Sequence, residues 1–380
     1  MAELPHGFRL LVVTTGLGLG GTERHLAAVL PALVARGAAV RLVSLRGRGE
    51  MAEALEAGGV EIRAAHGPAR GFLAVLREAV AWRPDIVHAF LPEATIVGGL
   101  ASWLTGRRPR VASRRSLNTY QQAHPRAGGI ERWLHPRMNA LLGNSRAVCA
   151  ELIAEGAPPQ RVGLLPNGVV TRAPALSRDA ARDALGIPPA ALAILCVANL
   201  IPYKGHAELI EAFAGARPHL PQGSVLLCAG RDDGYGVALT AQAEAQAVID
   251  HVRLLGRRDD VPDLLAAADI FVLASHEEGS PNAVIEAMAA GLPAIVTDVG
   301  GSPEAVGDAG IVVPPRNPAP LAEALVRLGN DAARRRALGD AARDRARTIY
   351  GFEACVDRYV TLYRGLAART APASLLPVGP

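Results

Sequence analysis

Three stretches of this sequence place residues able to hold a phosphorylated or hydroxyl-rich ligand directly after a β-type run and at the start of a helical one. In ANLIPYKGHAELI, Ala198–Ile210, Lys204 and Gly205 open a helix. A lysine there opposes the helix dipole, so it is poorly explained by stability. A phosphate between its ammonium and the first-turn amides would resolve the conflict, and a solvated surface lysine is the plainer alternative. In SHEEGSPNAVIEAMAAGLP, Ser275–Pro293, Ser280 is placed to cap a helix with Pro281 in its first position, so that Gly279 to Ala283 present backbone groups. Glu278 precedes that helix and Glu286 lies eight positions on, inside it. Such carboxylates suit the paired hydroxyls of a ribose or hexose, and two solvated acids would give the same spacing. The third stretch is GLGLGGTERHL, Gly16–Leu26, where Gly18, Gly20 and Gly21 let backbone approach a ligand or simply make a tight turn. It is not a dinucleotide fingerprint of the G-x-G-x-x-G kind with an acidic residue about 20 positions further on, because the next strand ends at Leu45 without an acid.

Other chemistries find little support. No Asp-x-Asp or His-x-His pattern follows a strand, and Asp232-Asp233 in GRDDGYG, Gly230–Gly236, reads as a turn, so no essential metal and no cofactor are expected. There is no G-x-S-x-G and no G-x-x-x-x-G-K-[ST]. Cys149, Cys196, Cys228 and Cys355 are scattered, which fits buried thiols rather than a zinc site or disulfides. Aromatic residues are only 4% and interleave with no basic run, so nucleic acid is not indicated, while the modest charge of +4 suits an anionic substrate or an anionic membrane surface. Without a spanning apolar run or a leader-like start, the expectation is a cytoplasmic protein, with Arg107, Arg108, Arg110, Arg114 and Arg115 motivating peripheral contact with the inner face of a membrane.

The elements that must position these loops alternate from end to end, as in parallel sheets wound by crossovers. A first series of strands is expected at Arg9–Thr14, Val40–Leu45, Val60–Arg63, Asp85–Ala89, Arg110–Ala112 and Ala140–Gly143. A second runs from the strand at Leu192 through Ser224–Ala229, His251–Leu255, Ile270–Ala274, Ala294–Thr297 and Ile311–Val313. Between them, Asn167–Pro189 reads as the interdomain linker, and the end of the chain as helical and basic with a disordered Ala-, Pro- and Gly-rich tail. A chain of 380 residues suits two such α/β domains. Ligands would sit beyond the carboxyl ends of their strands, in the cleft that two facing sheets create.

Taken together the segments resemble retaining glycosyltransferase family 4, over nearly the whole chain. EGSPNAVIEAMAAGLPAI, Glu278–Ile295, resembles its E-x7-E signature followed by EAMA-x-G-x-P. In order around it stand GGTE near the start, RPDIVHAF at 83–90, GNS at 143–145, LPNGV at 165–169, the PYKG turn, VPDLLAAADIFVLAS, and VGGSPEAV. The resemblance implies a GT-B fold: two Rossmann-like, doubly wound α/β domains facing a central cleft. Residues 1–173 would bind the acceptor and 174–350 the nucleotide sugar, with 351–380 returning to the first domain. It implies a nucleotide diphosphate sugar donor, UDP ahead of GDP, and a glycan or lipid-linked acceptor, as in cell-surface polysaccharide synthesis. Lys204 would bind the diphosphate, Glu286 the ribose hydroxyls, and Glu278 with Gly279, Ser280, Pro281 and Asn282 the transferred sugar or distal phosphate. Asn199 and Gly230 would adjoin the donor, and Gly20, Gly21 and Glu23 the acceptor.

Two departures stand out. The arginine of the family's GRL-x3-KG pattern is replaced here by Asn199 with no nearby substitute, and the T-x-H histidine is absent from ASRRSLN, Ala112–Asn118. Arg114 and Arg115 would then contact an acceptor phosphate or carboxylate, or remain surface charges. The implied chemistry is attack from the face the nucleotide leaves, with Lys204 and helix amides stabilising the departing diphosphate, which takes the acceptor proton. The competing readings are a non-catalytic sugar-nucleotide binder or scaffold and a GT-B sugar-nucleotide epimerase.

Overall fold

The structure is a computed structural model and describes residues 3–107 and 109–368. The Arg108 expectation and the tail from Arg369 onward therefore lie outside the described residues. The chain divides into two compact units, one formed by residues up to Gly168 together with those from Phe352 onward, the other by Val169–Gly351.

The first unit holds a parallel sheet of β1 (Arg9–Thr14), β2 (Ala39–Ser44), β3 (Glu61–Ala64), β4 (Ile86–Phe90), β5 (Arg110–Arg114), β6 (Ala140–Gly143) and β7 (Val162–Leu164), in the order β3-β2-β1-β4-β5-β6-β7. The second holds β8 (Ala193–Val197), β9 (Val225–Ala229), β10 (Val252–Gly256), β11 (Ile270–Leu273), β12 (Ala294–Thr297) and β13 (Gly310–Val313), also parallel, in the order β10-β9-β8-β11-β12-β13. Central strands are apolar on both faces because helices cover both sides. Leu10 and Val12 enter one core with the helix Phe352–Ala367, whereas Leu11 and Val13 enter the opposite one. In the second sheet Ile194 and Cys196 face one core, Ala193 and Leu195 the other.

Sequence reasoning missed β7, which is only three residues long and sits at a sheet edge. The chain passes between units at Gly168, inside the stretch Asn167–Pro189 read as the linker, and the rest of that stretch belongs to the second unit. Ser177 caps a helix, Arg178–Ala184, by accepting from Ala180 N at 3.3 Å, and Arg178 and Arg182 both bind Asp269. Richness in Pro, Ala and Arg thus concealed an N-cap signal followed by Asp179 in the first turn.

Candidate active site

Each sheet reverses strand order once near its middle, between β1 and β4 in the first unit and between β8 and β11 in the second. A crevice opens beyond the carboxyl ends of the strands at such a point, because the crossovers diverge to opposite sides.

In the second unit the loops after β8 and β11 meet there. Lys204 Nζ lies 2.6 Å from Glu278 Oε1, with side-chain exposures of 19% and 10%. Ser275 Oγ donates to the same oxygen at 2.8 Å, and the Thr297 hydroxyl donates to Ser275 O at 2.5 Å. His276 N donates to Tyr203 O at 2.8 Å, tying the lysine turn to the glutamate loop. Two glycines make this assembly possible. Gly205 has φ +69°, and an added Cβ would strike the Ala274 carbonyl; Gly300 has φ +50°, and its Cβ would strike the carbonyl of Glu278. Both require the left-handed backbone region and a close approach that other residues resist.

Beneath the pair, burial pushes the Cys196 thiol up to about 12 and the His206 imidazole down to about 4. Both are uncharged at neutral pH, so Lys204 and Glu278 carry opposing charges above a neutral floor.

Lys204 ends a short 3₁₀ turn, Pro202–Lys204, and Gly205 separates it from the helix His206–Ala216, so the lysine flanks that helix rather than forming its first residue. The capping expectation for Ser280 fails. The helix Asn282–Ala289 starts one residue later, with Pro281 in extended geometry at its N-cap and no side-chain cap. With no side chain capping it, this amino end keeps the positive pole of its helix dipole, which favours an anion. Glu286 is half-buried and stands four residues beyond Asn282, on the same face of the helix. Asp232 makes a turn, as its sequence suggests: Oδ1 accepts from Gly234 N and Tyr235 N at 2.9 Å and from Gly236 N at 3.0 Å.

In the first unit Gly20 and Gly21 lie exposed at the start of the helix Gly21–Ala35, with Glu23 in its first turn. The two arginines treated alike in the sequence part company, because β5 alternates faces. Arg114 is 4% exposed and bonds Glu131 at 2.9 Å and Glu155 at 2.7 Å, so it is a buried structural cation and not an acceptor contact. Arg110 likewise turns inward, to the carbonyls of Arg137 and Arg107. Arg115 lies on the other face, bonded to Asn167 Oδ1 at 2.5 Å and to the Tyr359 hydroxyl, and within electrostatic reach of Glu23. Around it run His25 to Tyr359 at 3.0 Å, and His88 to Tyr363 at 2.7 Å and Ser113 at 2.8 Å. Burial holds His25 well below its usual range and His88 at about 3. No local signal marked Tyr359 and Tyr363, since their partners lie more than 200 residues earlier in the chain.

Two doubly wound parallel units, one with a lysine and a carboxylate paired at its switch point, define an α/β protein of the Rossmann-like class. Family models for Glycosyltransferase Family 4 and for Glycosyl transferases group 1 match residues 19–173 and 191–331. A D-inositol 3-phosphate glycosyltransferase of Streptomyces bingchenggensis is 31% identical over 74% of this chain and 67% of its own length. A UDP-Gal:alpha-D-GlcNAc-diphosphoundecaprenol alpha-1,3-galactosyltransferase of Escherichia coli is 27% identical over 57% of this chain and 59% of its own. Among solved structures, HepE of Anabaena in complex with UDP superposes with a TM-score of 0.83 at 21% identity, covering 93% of this chain and 98% of that one. The chain belongs to glycosyltransferase family 4 and has the GT-B fold. It is a glycosyltransferase that uses a nucleotide-sugar donor. Among the described residues no helix is long and apolar enough to cross a membrane.

Proposed function

We propose that this chain is a retaining hexosyltransferase that takes its sugar from a UDP-linked donor and transfers it to a hydroxyl of a phosphate-bearing or lipid-linked acceptor. The observation that carries the reading is the Lys204–Glu278 pair at the β8/β11 switch point. On binding, the donor diphosphate takes the place of the Glu278 carboxylate at Lys204 Nζ, and Glu278 turns to hydroxyls of the transferred sugar. Glu286 meets the ribose, and the amides of Gly279 and Ser280 face the distal phosphate. As the glycosidic bond breaks, Lys204 and these amides stabilise charge on the leaving diphosphate, and the acceptor hydroxyl attacks from the same face and gives its proton to the departing phosphate. No side chain need act as a strong base, and no metal is required by the scheme.

UDP is favoured over GDP by the UDP-bound relative in structure, and a phosphorylated or lipid-linked acceptor by the substrates named for the two relatives in sequence. In the first unit Arg115 is the cation suited to an acceptor phosphate, beside Glu23, Gly20 and Gly21. Peripheral contact with an anionic membrane would bring a lipid-linked acceptor within reach.

The test is a thermal-shift panel of UDP, GDP, ADP and their sugars on wild type and Lys204→Ala, followed by donor hydrolysis. Stabilisation by one nucleotide, lost in the variant, together with slow hydrolysis of its sugar, is the expected result. A protein that binds a sugar nucleotide but neither hydrolyses nor transfers it would be a scaffold, and the catalytic reading would fall.

A further inference from the structure

When a donor diphosphate displaces Glu278 from Lys204, now 2.6 Å away, one ammonium above neutral groups faces at least two negative charges. A second cation is called for, and position 199, at the end of β8, offers an asparagine.

The structure shows what that asparagine does. Its Oδ1 accepts from Arg231 N at 3.3 Å, and its side chain also bonds the Asp233 carboxylate. Leu200 N donates to Arg231 O at 2.9 Å, and Asp233 N donates back to Leu200 O at 3.4 Å. Gly230 lies so close to the Ala198 carbonyl that no Cβ would fit. These contacts fasten the turn after β9 onto the loop that leads from β8 to Lys204. Asp233 in turn grips the Arg231 guanidinium with both oxygens, Nε at 2.6 Å and a terminal nitrogen at 3.1 Å. The arginine is thereby oriented, yet its side chain keeps 59% of its exposure. A guanidinium fork is suited to phosphate oxygens, and one already held by a carboxylate loses less entropy on binding.

We infer that Arg231 supplies the second positive charge to the donor diphosphate, with Asn199 and Asp233 as its positioning residues. The inference rests on the donor-site reading above. One arginine at position 199 would combine anchoring and charge; here the two tasks are divided between neighbouring loops.

Calorimetric titration with UDP and with inorganic pyrophosphate tests it, on wild type, Lys204→Ala, Arg231→Ala, Asn199→Ala and the Asn199→Ala/Arg231→Ala double variant, each checked for native circular dichroism. Loss of a charge-assisted contact should weaken both ligands about tenfold or more in Arg231→Ala. Asn199→Ala should weaken them in the same direction, with the double variant no worse than Arg231→Ala, since a positioning residue has nothing left to position. Adding Arg at position 199 in the Arg231→Ala background should recover affinity. Wild-type affinity in Arg231→Ala alongside loss in Lys204→Ala would overturn this inference and leave the donor site standing. Wild-type affinity in Lys204→Ala would overturn both.

Discussion

Replacing Arg114 with methionine separates a structural arginine from an acceptor-binding one. The guanidinium is 4% exposed between Glu131, itself 3% exposed, and Glu155. Removing it leaves the Glu131 carboxylate buried with Gln121 Nε2, at 2.7 Å, as its remaining side-chain donor. Stripping one partner from a buried ion pair costs about 3–5 kcal/mol, because the desolvated charge left behind is uncompensated. With a urea dependence of about 2 kcal/mol per molar, the unfolding midpoint should fall by roughly 2 M. The assay is selective, since the three tryptophans, Trp82, Trp103 and Trp133, all lie in the first unit and their fluorescence reports its unfolding. Arg114→Met/Glu131→Leu should regain part of the loss, because it removes the most deeply buried pair of charges but leaves Glu155, 13% exposed, without its guanidinium. In contrast, Arg115→Ala should raise the acceptor KM with a smaller change in midpoint. An unchanged midpoint in Arg114→Met together with a raised acceptor KM would refute the argument and return Arg114 to the acceptor site.

Three further outcomes are expected. Gly205→Ala must hold alanine at φ +69° against the Ala274 carbonyl, so it should lose about 1–3 kcal/mol of stability in the second unit and weaken nucleotide binding; native UDP affinity would show that the turn does not position Lys204. His88, held at about 3, and His206, at about 4, remain neutral when folded but take up protons near pH 6.5 when unfolded. Their contribution is complete above that pH and is lost as pH falls, by about 2 kcal/mol per histidine at pH 5. Urea midpoints at pH 7.5 and pH 5 measure it, and equal midpoints would contradict the assigned burial. Transfer measured in excess EDTA should match that in its absence, and a loss restored by a divalent cation would show a metal requirement.

The sequence by itself determined the fold class and marked candidate ligand loops. Parallel strands buried on both faces write themselves as short apolar runs, and their ligand loops must follow them, so Lys204, Glu278 and Glu286 could be proposed as candidates from residue type and position. Local signals, however, carry no information about which loops meet. Only the tertiary structure joined Lys204 to Glu278, 74 residues apart, and set Arg231 against Asn199, 32 residues apart. It also decided between Arg114 and Arg115, adjacent and identical in the sequence. The pleat turns one toward Glu131 on a helix that follows β5, and the other toward Tyr359 on the last helix. Long-range packing likewise assigned the stretch from Phe352 to the first unit, because its buried face, with Val356, Tyr359, Val360 and Tyr363, is completed by a sheet whose first strand begins at Arg9. An amphipathic helix declares that it has a partner; the fold alone selects which one.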